Sequence, residues 1–256
     1  MRILFIRHAE PDYKTDTLTP KGRREAELLS RRMANYKIRD AYVSPLGRAR
    51  ETAEYCLKPL GREAEVLDWL AEFRGRFPDP KTGKPALPWD FPPRLWSAIP
   101  GLRDAEHWAD DPFYAGGSVR EIWDETTQGM DALMARYGFV KDGPVWLGKE
   151  NRRETIAIFC HFAISMAALA YLINESPVPL WQRCLCLTSS VSEVVTEERV
   201  PGEVSFRVTR LGDISHLEIG GEPRSTAGLF PECYTGTDST DQNINGEGPW
   251  GPYNPY

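Results

Sequence analysis

Short apolar runs alternate with segments of helical periodicity in the first third of the chain. Residues 3–6 are an uninterrupted apolar run, which is typical of a buried strand. Thr19 and Pro20 predict the start of a helix, because a threonine cap often precedes a first-turn proline. The positions behind them that recur at helical spacing are Gly22, Ala26, Leu29 and Met33. This order of strand and helix favours an α/β domain with a largely parallel sheet.

The same order is repeated further along the chain. A buried strand over 40–43 precedes a helix that we expect to open at Ser44 and Pro45. Residues 118–121 read Ser-x-x-Glu, a capping box that predicts the start of a long helix. An apolar strand over 155–160 ends in a histidine and leads into a further helix.

Two valine-rich segments near the end of the chain alternate in polarity, over 190–199 and 203–211. Because a Pro-Gly pair separates them, they predict an antiparallel hairpin, which we expect at an edge of the sheet. A short strand is also expected within 64–70. The pattern therefore predicts a three-layer α/β/α fold with a mostly parallel central sheet and an antiparallel edge hairpin.

Two segments lack a sustained period. Residues 75–117 hold eight prolines and three tryptophans, and a stretch of this kind inside a domain is typical of a lid or a binding insertion. We expect its tryptophans, Trp89, Trp96 and Trp108, to form the core of the lid, with a stacking platform for a ligand as the alternative. Residues 220–256 carry seven glycines and five prolines and predict an irregular tail. We expect one domain over 1–256 that contains both.

Composition and charge exclude several classes of protein. With 31 basic and 37 acidic residues the net charge is −6, so no nucleic acid or anionic membrane is expected as a partner. No stretch approaches the roughly 18 apolar residues of a membrane span, and the chain enters a strand at once, so we expect a cytoplasmic protein. The five cysteines show no framework spacing, and Cys184 and Cys186 are too close for a zinc motif. The oligomeric state stays open.

Polar side chains follow several of the predicted strands. Arg7 and His8 end the first strand, Arg48 follows the second, Glu72 follows the third, and His161 ends the strand over 155–160. In open α/β sheets, ligands bind beyond the carboxyl ends of the strands. Two arginines suit phosphate oxygens, imidazole is a nucleophile near neutral pH, and a carboxyl group can protonate a leaving alcohol. The residues therefore predict a phosphate pocket with a candidate nucleophile.

Five motifs resemble those of the histidine phosphatase superfamily, the phosphoglycerate-mutase-like group. They are LFIRHAE, LTPKGRREAELL, AYVSPLGRARETAEY, LAEFRG and IAIFCHFAISMAAL, and the resemblance covers about residues 1–75 and 118–217. It implies that His8 is the phosphorylated nucleophile and that Glu72 is the proton donor. It also implies that Arg7, Arg48 and His161 bind the phosphoryl group, His161 as a part of the catalytic set. No metal and no cofactor are implied.

The chain departs from the family pattern at two positions. Ala9 replaces the glycine of the usual RHG, and Phe162 replaces the glycine that follows the second histidine. The match at Glu72 is the loosest, so Glu63, Glu65 or an acid of the lid are alternatives for the proton donor. His216, in the segment GDISHL, resembles a late family motif and is expected near the site at most.

The function predicted from the sequence is metal-independent hydrolysis of a small phosphorylated molecule, a phosphomonoester, through a phosphohistidine. Two alternatives stay open: a phosphoglycerate mutase, which returns the phosphoryl group to a substrate, and a catalytically silent module that binds phosphorylated ligands. Arg74 and Arg76 are candidates for a second anionic group of the substrate, with a solvated pair as the alternative. We expect the insertion over 75–117 to set substrate choice.

Overall fold

The computed structural model describes residues 1–148 and 153–229. This part of the chain forms twelve strands and seven α-helices, with short 3₁₀ turns between them. The strands are β1 (Arg2–Arg7), β2 (Pro11–Asp12), β3 (Thr17–Leu18), β4 (Ile38–Val43), β5 (Glu65–Val66), β6 (Phe77–Pro78), β7 (Pro85–Ala86), β8 (Phe139–Asp142), β9 (Val145–Gly148), β10 (Thr155–Cys160), β11 (Val191–Val200) and β12 (Glu203–Asp213). The helices are α1 (Pro20–Met33), α2 (Gly47–Leu57), α3 (Pro93–Ser97), α4 (Val119–Ala135), α5 (Phe162–Leu172), α6 (Pro177–Arg183) and α7 (Ser215–Gly220).

The main sheet has eight strands in the order β5-β4-β10-β1-β11-β12-β9-β8. The first four run parallel, and from β1 onward each neighbouring pair is antiparallel. Each face of the sheet carries an apolar core, because side chains alternate along β1: Ile3 and Phe5 join one core, and Leu4 and Ile6 join the other. Helices α4, α5 and α6 pack on the first face, and α1 and α2 pack on the second. The α/β fold predicted from the sequence is confirmed.

The valine-rich hairpin does not lie at the edge of the sheet. It forms β11 and β12 as predicted, but β9 pairs with the start of β12, at Glu203 and Val204, and β8 lies outside β9. The edge hairpin of this sheet is therefore β8–β9, which turns at Gly143 and Pro144. Gly143 has a φ of +56°, and a glycine at the first position of a two-residue turn is a hairpin signal that the sequence did contain.

The predicted start of the second helix is wrong, and the helix predicted after Ser118 begins as expected but lacks the predicted side-chain cap. Helix α2 begins at Gly47, and Ser44 instead prolongs the strand, since its N–H donates to the carbonyl of Phe159 over 2.9 Å. Ser118 precedes α4 without a side-chain cap, and its Oγ accepts from the N–H of Arg76 instead. The hydroxyl of Ser44 bonds to His161 and that of Ser118 bonds to Arg76, so each serine side chain contacts a segment distant in the sequence. Of the residues 64–70, 65 and 66 form β5, and Asp68–Leu70 is a 3₁₀ turn.

Residues 75–117 contain only short elements, namely β6, β7, α3 and three 3₁₀ turns. Trp96 and Trp108 are buried and join the larger apolar core, and Trp89 packs against it. We call five packed rings the aromatic cluster: Phe73, Trp89, Trp108, Trp123 and Trp181. Packing inside the core agrees with a structural role for these tryptophans, while the function of the segment as a lid stays a prediction.

Of the predicted tail, residues 230–256 lie outside the described residues. The described start of the tail contacts helix α1: Lys21 and Arg24 form ion pairs with Glu222, both at 2.9 Å. Four cysteines, all free, lie in the described part, at Cys56, Cys160, Cys184 and Cys186. Among the helices described, none has the length and apolar character needed to cross a membrane.

Candidate active site

The register of two parallel strands places two histidines side by side. Arg7 of β1 is paired with Cys160 of β10, and the next residue in each chain segment is a histidine. The N–H of His8 donates to the carbonyl of Cys160 over 3.0 Å. The rings of His8 and His161 have centroids 5.0 Å apart, and both residues are buried. The carboxyl end of the parallel part of the sheet therefore carries the paired imidazoles.

His8 is held with one ring nitrogen, Nε2, unprotonated. Its Nδ1 lies 2.8 Å from the carbonyl oxygen of Ala9. Since a carbonyl only accepts, Nδ1 carries the hydrogen and Nε2 carries the lone pair. Nε2 accepts a bond from Nε of Arg48 over 3.3 Å. Burial first, and then the neighbouring His161, Arg7 and Arg48, hold the pKa of His8 well below its ordinary value, so the ring is neutral near pH 7.

Arg48, near the start of α2, contacts Asp16 and Tyr13 in addition to His8. Its Nη1 forms an ion pair with Oδ1 of Asp16 at 2.5 Å, and its guanidinium lies 5.4 Å from the ring centre of Tyr13. Oδ2 of Asp16 accepts from the N–H of Gly47 over 2.6 Å. A Cβ on Gly47 would overlap the carbonyl oxygen of Asp16, so this close approach requires glycine. Asp16 thereby ties the loop after β2 to Arg48.

Arg7 is the second cation close to the two histidines. Its Nη1 donates to the carbonyl of Cys186 over 2.6 Å, and its guanidinium lies 5.8 Å from the ring centre of Phe162. Nε of Arg7 is buried without a hydrogen-bond partner in the described part of the chain. Phe162 is the first residue of α5, and its aromatic ring packs beside Arg7. Phe162, which stands where the family has glycine, is therefore accommodated because its ring packs against Arg7.

Glu72 joins this group through the start of α5. Its Oε1 accepts from its neighbour Phe73, whose N–H lies at 2.9 Å, and from the N–H of Ile164 at 3.0 Å. Burial raises the pKa of the carboxyl, and these two bonds and the nearby Arg7 and Arg48 oppose that rise. Two of the alternatives named from the sequence have other surroundings, while an acid of the insertion over 75–117 stays an untested alternative. Glu63 is exposed, and Glu65 forms an ion pair with Arg136 at 2.7 Å.

His161 is the most deeply placed of the five residues, with no exposed surface. Its Nε2 lies 2.7 Å from Oγ of Ser44, and its Nδ1 has no hydrogen-bond partner in the described part of the chain. Burial, followed by the charges of Arg48 and Arg7, lowers the pKa of His161 to about 2. The ring is therefore neutral at any pH at which the protein is expected to work.

The two arginines suggested for a second anionic group differ in their surroundings. Arg74 is exposed and forms an ion pair with Glu125 at 2.7 Å. Arg76 is also exposed, donates from Nη1 to the carbonyl of Gly75 over 3.0 Å, and lies near enough to Glu72 for the carboxylate to raise its pKa, although burial lowers it overall. His216 is buried between Arg32 and Ser189, and burial lowers its pKa to about 4.

Four further residues support the site and were not identified as such from the sequence. Besides Asp16 and Ser44, they are Thr52 and Glu25. Thr52 accepts from the N–H of Ala9 over 3.0 Å and donates to the carbonyl of Arg48 over 2.8 Å. Glu25 has no exposed surface and accepts from the N–H of Glu10 over 2.9 Å, and burial raises its pKa to about 7. An acid on the apolar face of a predicted helix was the available signal for Glu25.

Across 1–148 and 153–229, no group of three or more histidine, cysteine, aspartate or glutamate side chains is arranged to hold a metal ion. The arrangement instead gathers two cations, two neutral imidazoles and one carboxyl group. Such a set binds an anion, offers a nucleophile and can move a proton.

Comparison with known proteins gives a family and a fold. Residues 3–84 match the family profile of the histidine phosphatase superfamily (branch 1). No curated protein matches this chain. Among solved structures, a phosphoserine phosphatase mutant from Entamoeba histolytica, in complex with phosphoserine, is 18% identical with a TM-score of 0.54, over 84% of this chain and 98% of that one.

Two further solved structures share the fold. A mycobacterial glucosyl-3-phosphoglycerate phosphatase is 19% identical with a TM-score of 0.53, over 82% of this chain and 98% of that one. YhfR from Bacillus stearothermophilus is 20% identical with a TM-score of 0.53, over 84% of this chain and 98% of that one. These findings agree with the resemblance drawn from the motifs: residues 3–84 of this chain match the histidine phosphatase superfamily (branch 1), and the chain shares its fold with these solved proteins.

Proposed function

We propose that the protein is a phosphomonoester hydrolase that acts on a small phosphorylated molecule through a phosphohistidine at His8. One observation carries the proposal: a neutral imidazole presents its unprotonated Nε2 to Arg48 and lies near Arg7, next to a second neutral imidazole and a half-buried carboxyl group. The phosphatases that share the fold support the choice of a phosphorylated substrate.

In the first step the phosphoryl group is bound by Arg7, Arg48 and His161. The Arg48 Nε–H, which now donates to His8 Nε2, turns to a phosphoryl oxygen and leaves the lone pair of Nε2 free. That lone pair forms the N–P bond while the P–O bond to the leaving alcohol breaks in line. The hydrogen bond from Nδ1 to Ala9 keeps the ring oriented and stabilises the positive charge that develops on it.

The leaving oxygen takes its proton from Glu72. Because burial raises the pKa of this carboxyl, a larger fraction of it is protonated near neutral pH than of an exposed glutamate. In the second step Glu72, now a carboxylate, accepts a proton from a water molecule that attacks phosphorus, and His8 is released. The charge of the transferred group is balanced by arginines, so the proposed reaction uses no metal ion.

Substrate choice is assigned to the insertion over 75–117, with Arg76, which lies near enough to Glu72 to feel its charge, as the candidate for a second anionic group. A substrate with a second anionic group near the leaving oxygen fits that position. Arg74 is the weaker candidate, since Glu125 already pairs with it.

The test is release of inorganic phosphate from a panel that includes phosphoserine, 3-phosphoglycerate, sugar phosphates, nucleotides and phosphopeptides. His8→Ala should lower kcat/KM by more than about 10³-fold, because it removes the nucleophile. His107→Ala is the matched control, since His107 is exposed and lies in the insertion, and it should retain activity. A chelator should leave the rate unchanged, and an acid-labile phosphoenzyme should form only when His8 is present.

An ordinary rate in the His8→Ala variant would contradict the proposal. Transfer of the phosphoryl group to a second substrate in place of water would identify a mutase. Binding of phosphorylated ligands without any turnover would identify a silent binding module.

A further inference from the structure

Ser44 contacts His161, although the two residues lie in different sequence motifs. The residue follows β4, has no exposed surface, and its Oγ lies 2.7 Å from Nε2 of His161. The same Oγ accepts from the N–H of Leu46 over 3.2 Å. No other bond to this hydroxyl occurs in the part of the chain that the structure describes.

The hydroxyl of Ser44 can satisfy its bonds in only one way. A serine hydroxyl donates one hydrogen and accepts through its lone pairs. The Leu46 N–H already uses an acceptor position, so the hydrogen of Oγ is left for Nε2 of His161. In the reverse arrangement Nε2 would donate to Oγ, and the serine hydrogen would be buried without an acceptor, which is unfavourable.

The bond from Ser44 decides which nitrogen of His161 carries hydrogen. A neutral imidazole has one N–H and one lone pair. With the lone pair of Nε2 bound to Ser44, the hydrogen lies on Nδ1. Nδ1 is buried and has no partner among the described residues, while Arg7 and Arg48 lie near the ring. An unpaired donor next to two cations is suited to an anionic oxygen.

We infer that Ser44 is a positioning residue, which fixes His161 in the Nδ1–H tautomer and so directs a neutral N–H donor at the phosphoryl oxygen. The inference rests on the proposed function for the identity of that oxygen. The tautomer itself follows from the contacts of Ser44 alone. Ser44 acts through His161 and does not touch the substrate.

The first test is the tautomer of His161 in the wild-type protein, from long-range ¹H–¹⁵N correlation spectra with ¹⁵N-labelled histidine. The chain has four histidines, and His161→Gln identifies the signals of His161. We expect Nδ1 protonated and Nε2 unprotonated, and the signal of Nδ1 should shift when inorganic phosphate is added. A wild-type ring protonated at Nε2 would overturn the inference without any variant.

The second test removes the hydroxyl. Ser44→Ala should convert His161 to a mixture of tautomers and lower kcat/KM by about tenfold, the effect of roughly one lost orienting hydrogen bond. Ser44→Thr, which keeps a hydroxyl, should restore the single tautomer and most of the rate. Ser176→Ala is the matched control, because Ser176 is equally buried but caps α6 and bonds to Leu102. It should change neither the His161 spectrum nor the rate.

The outcomes separate the two proposals. If the wild-type protein hydrolyses no phosphomonoester, the proposed function fails, and the spectra still decide the tautomer. If hydrolysis occurs and Ser44→Ala keeps both the tautomer and the rate, the inference about Ser44 fails while the proposed function stands. A fall in Tm with an unchanged His161 spectrum would show that Ser44 only packs, and this also overturns the inference.

Discussion

The two sides of the candidate site are held in place by different interactions. On the side of His8, which we call the hydrogen-bonded side, polar side chains fix the loops: Asp16 holds Arg48, Thr52 holds Ala9 and Glu25 holds Glu10. On the side of Glu72, which we call the aromatic side, Phe73 anchors the loop in the aromatic cluster, with its ring centre 5.1 Å from that of Trp181. The first arrangement sets orientation and protonation, and the second sets stability.

The largest effect is expected from the aromatic side. Trp108→Ala should lower the free energy of unfolding by about 3–5 kcal/mol, because Trp108 has no exposed surface and its loss leaves a cavity between Trp123 and Trp181. Denaturant unfolding measures the change. Trp89→Ala is the control, and since Trp89 is only partly buried its loss should be smaller. A Trp108→Ala variant as stable as the wild type would remove the contrast between the two sides.

Glu25 gives the hydrogen-bonded side a dependence of stability on pH. Its pKa of about 7 in the folded protein lies above its ordinary value of 4.5, because the carboxyl is buried. The folded state therefore binds more protons between these values, and this contribution to stability is lost as pH rises from about 4.5 to about 7. Glu25→Gln cannot lose a proton and should gain on the order of 3 kcal/mol relative to wild type across that interval.

Unfolding free energies of Glu25→Gln and wild type, measured in parallel from pH 4.5 to pH 8, check this expectation. Their difference isolates Glu25, since other groups titrate alike in both proteins. Glu54→Gln is the control, because Glu54 is exposed on α2 and bonds only to Lys58 among the described residues. A constant difference across the interval would show that the buried carboxyl is not protonated in the folded state.

The pH dependence of turnover distinguishes the contribution of His8, on the hydrogen-bonded side, from that of Glu72, on the aromatic side. Turnover needs a neutral His8, so the rate falls as pH drops through its lowered pKa. It also needs a protonated Glu72, so the rate with poor leaving groups falls as pH rises through the raised pKa of that carboxyl. Glu72→Gln should lose the basic limb and slow alkyl phosphates by about 10²-fold, but activated aryl phosphates by less than about tenfold. Glu65→Gln is the control, and equal losses on both substrates would assign the proton to another acid.

The smallest effect is expected at Asp16. Asp16→Asn removes the charge that holds Arg48 and should lower kcat/KM by about tenfold, mainly through KM. Because the pair is partly exposed, the change in unfolding free energy should stay below about 1 kcal/mol. Asp12→Asn, in the same loop region, should leave both quantities unchanged. A large loss of stability in Asp16→Asn would show that Asp16 contributes to stability, as the residues of the aromatic side do, and would contradict this prediction.

The sequence predicted the residues whose position follows from local structure. Arg7, His8 and His161 end strands, and a parallel sheet brings such ends together. The sequence did not predict the roles of Ser44 and Asp16 at the site, because these roles depend on partners far along the chain. Ser44 was interpreted as a helix cap, which is the common local role of serine before proline, whereas its hydroxyl bonds to His161. Local pattern carries no information about such a bond.

The insertion over 75–117 was predictable as irregular but not as packed. The sequence predicts that its tryptophans form the core of the lid. Trp108 instead packs against Trp123 of α4 and Trp181 of α6. Because the segment has no regular hydrophobic periodicity, its sequence does not show which residues pack together. These contacts depend on the folded sheet and helices. The position of the β8–β9 hairpin outside β12 was missed for a related reason, because strand order depends on long-range pairing.

The pairing of β1 with β10 has a consequence for how this chain can change in length. The two imidazoles are neighbours because both strands reach the end of the sheet at the same level, with Arg7 opposite Cys160. Inserting or deleting a single residue within either strand would turn its histidine to the opposite face. Length variation among related chains should therefore be confined to connections such as 75–117, while the spacing within these two strands is preserved.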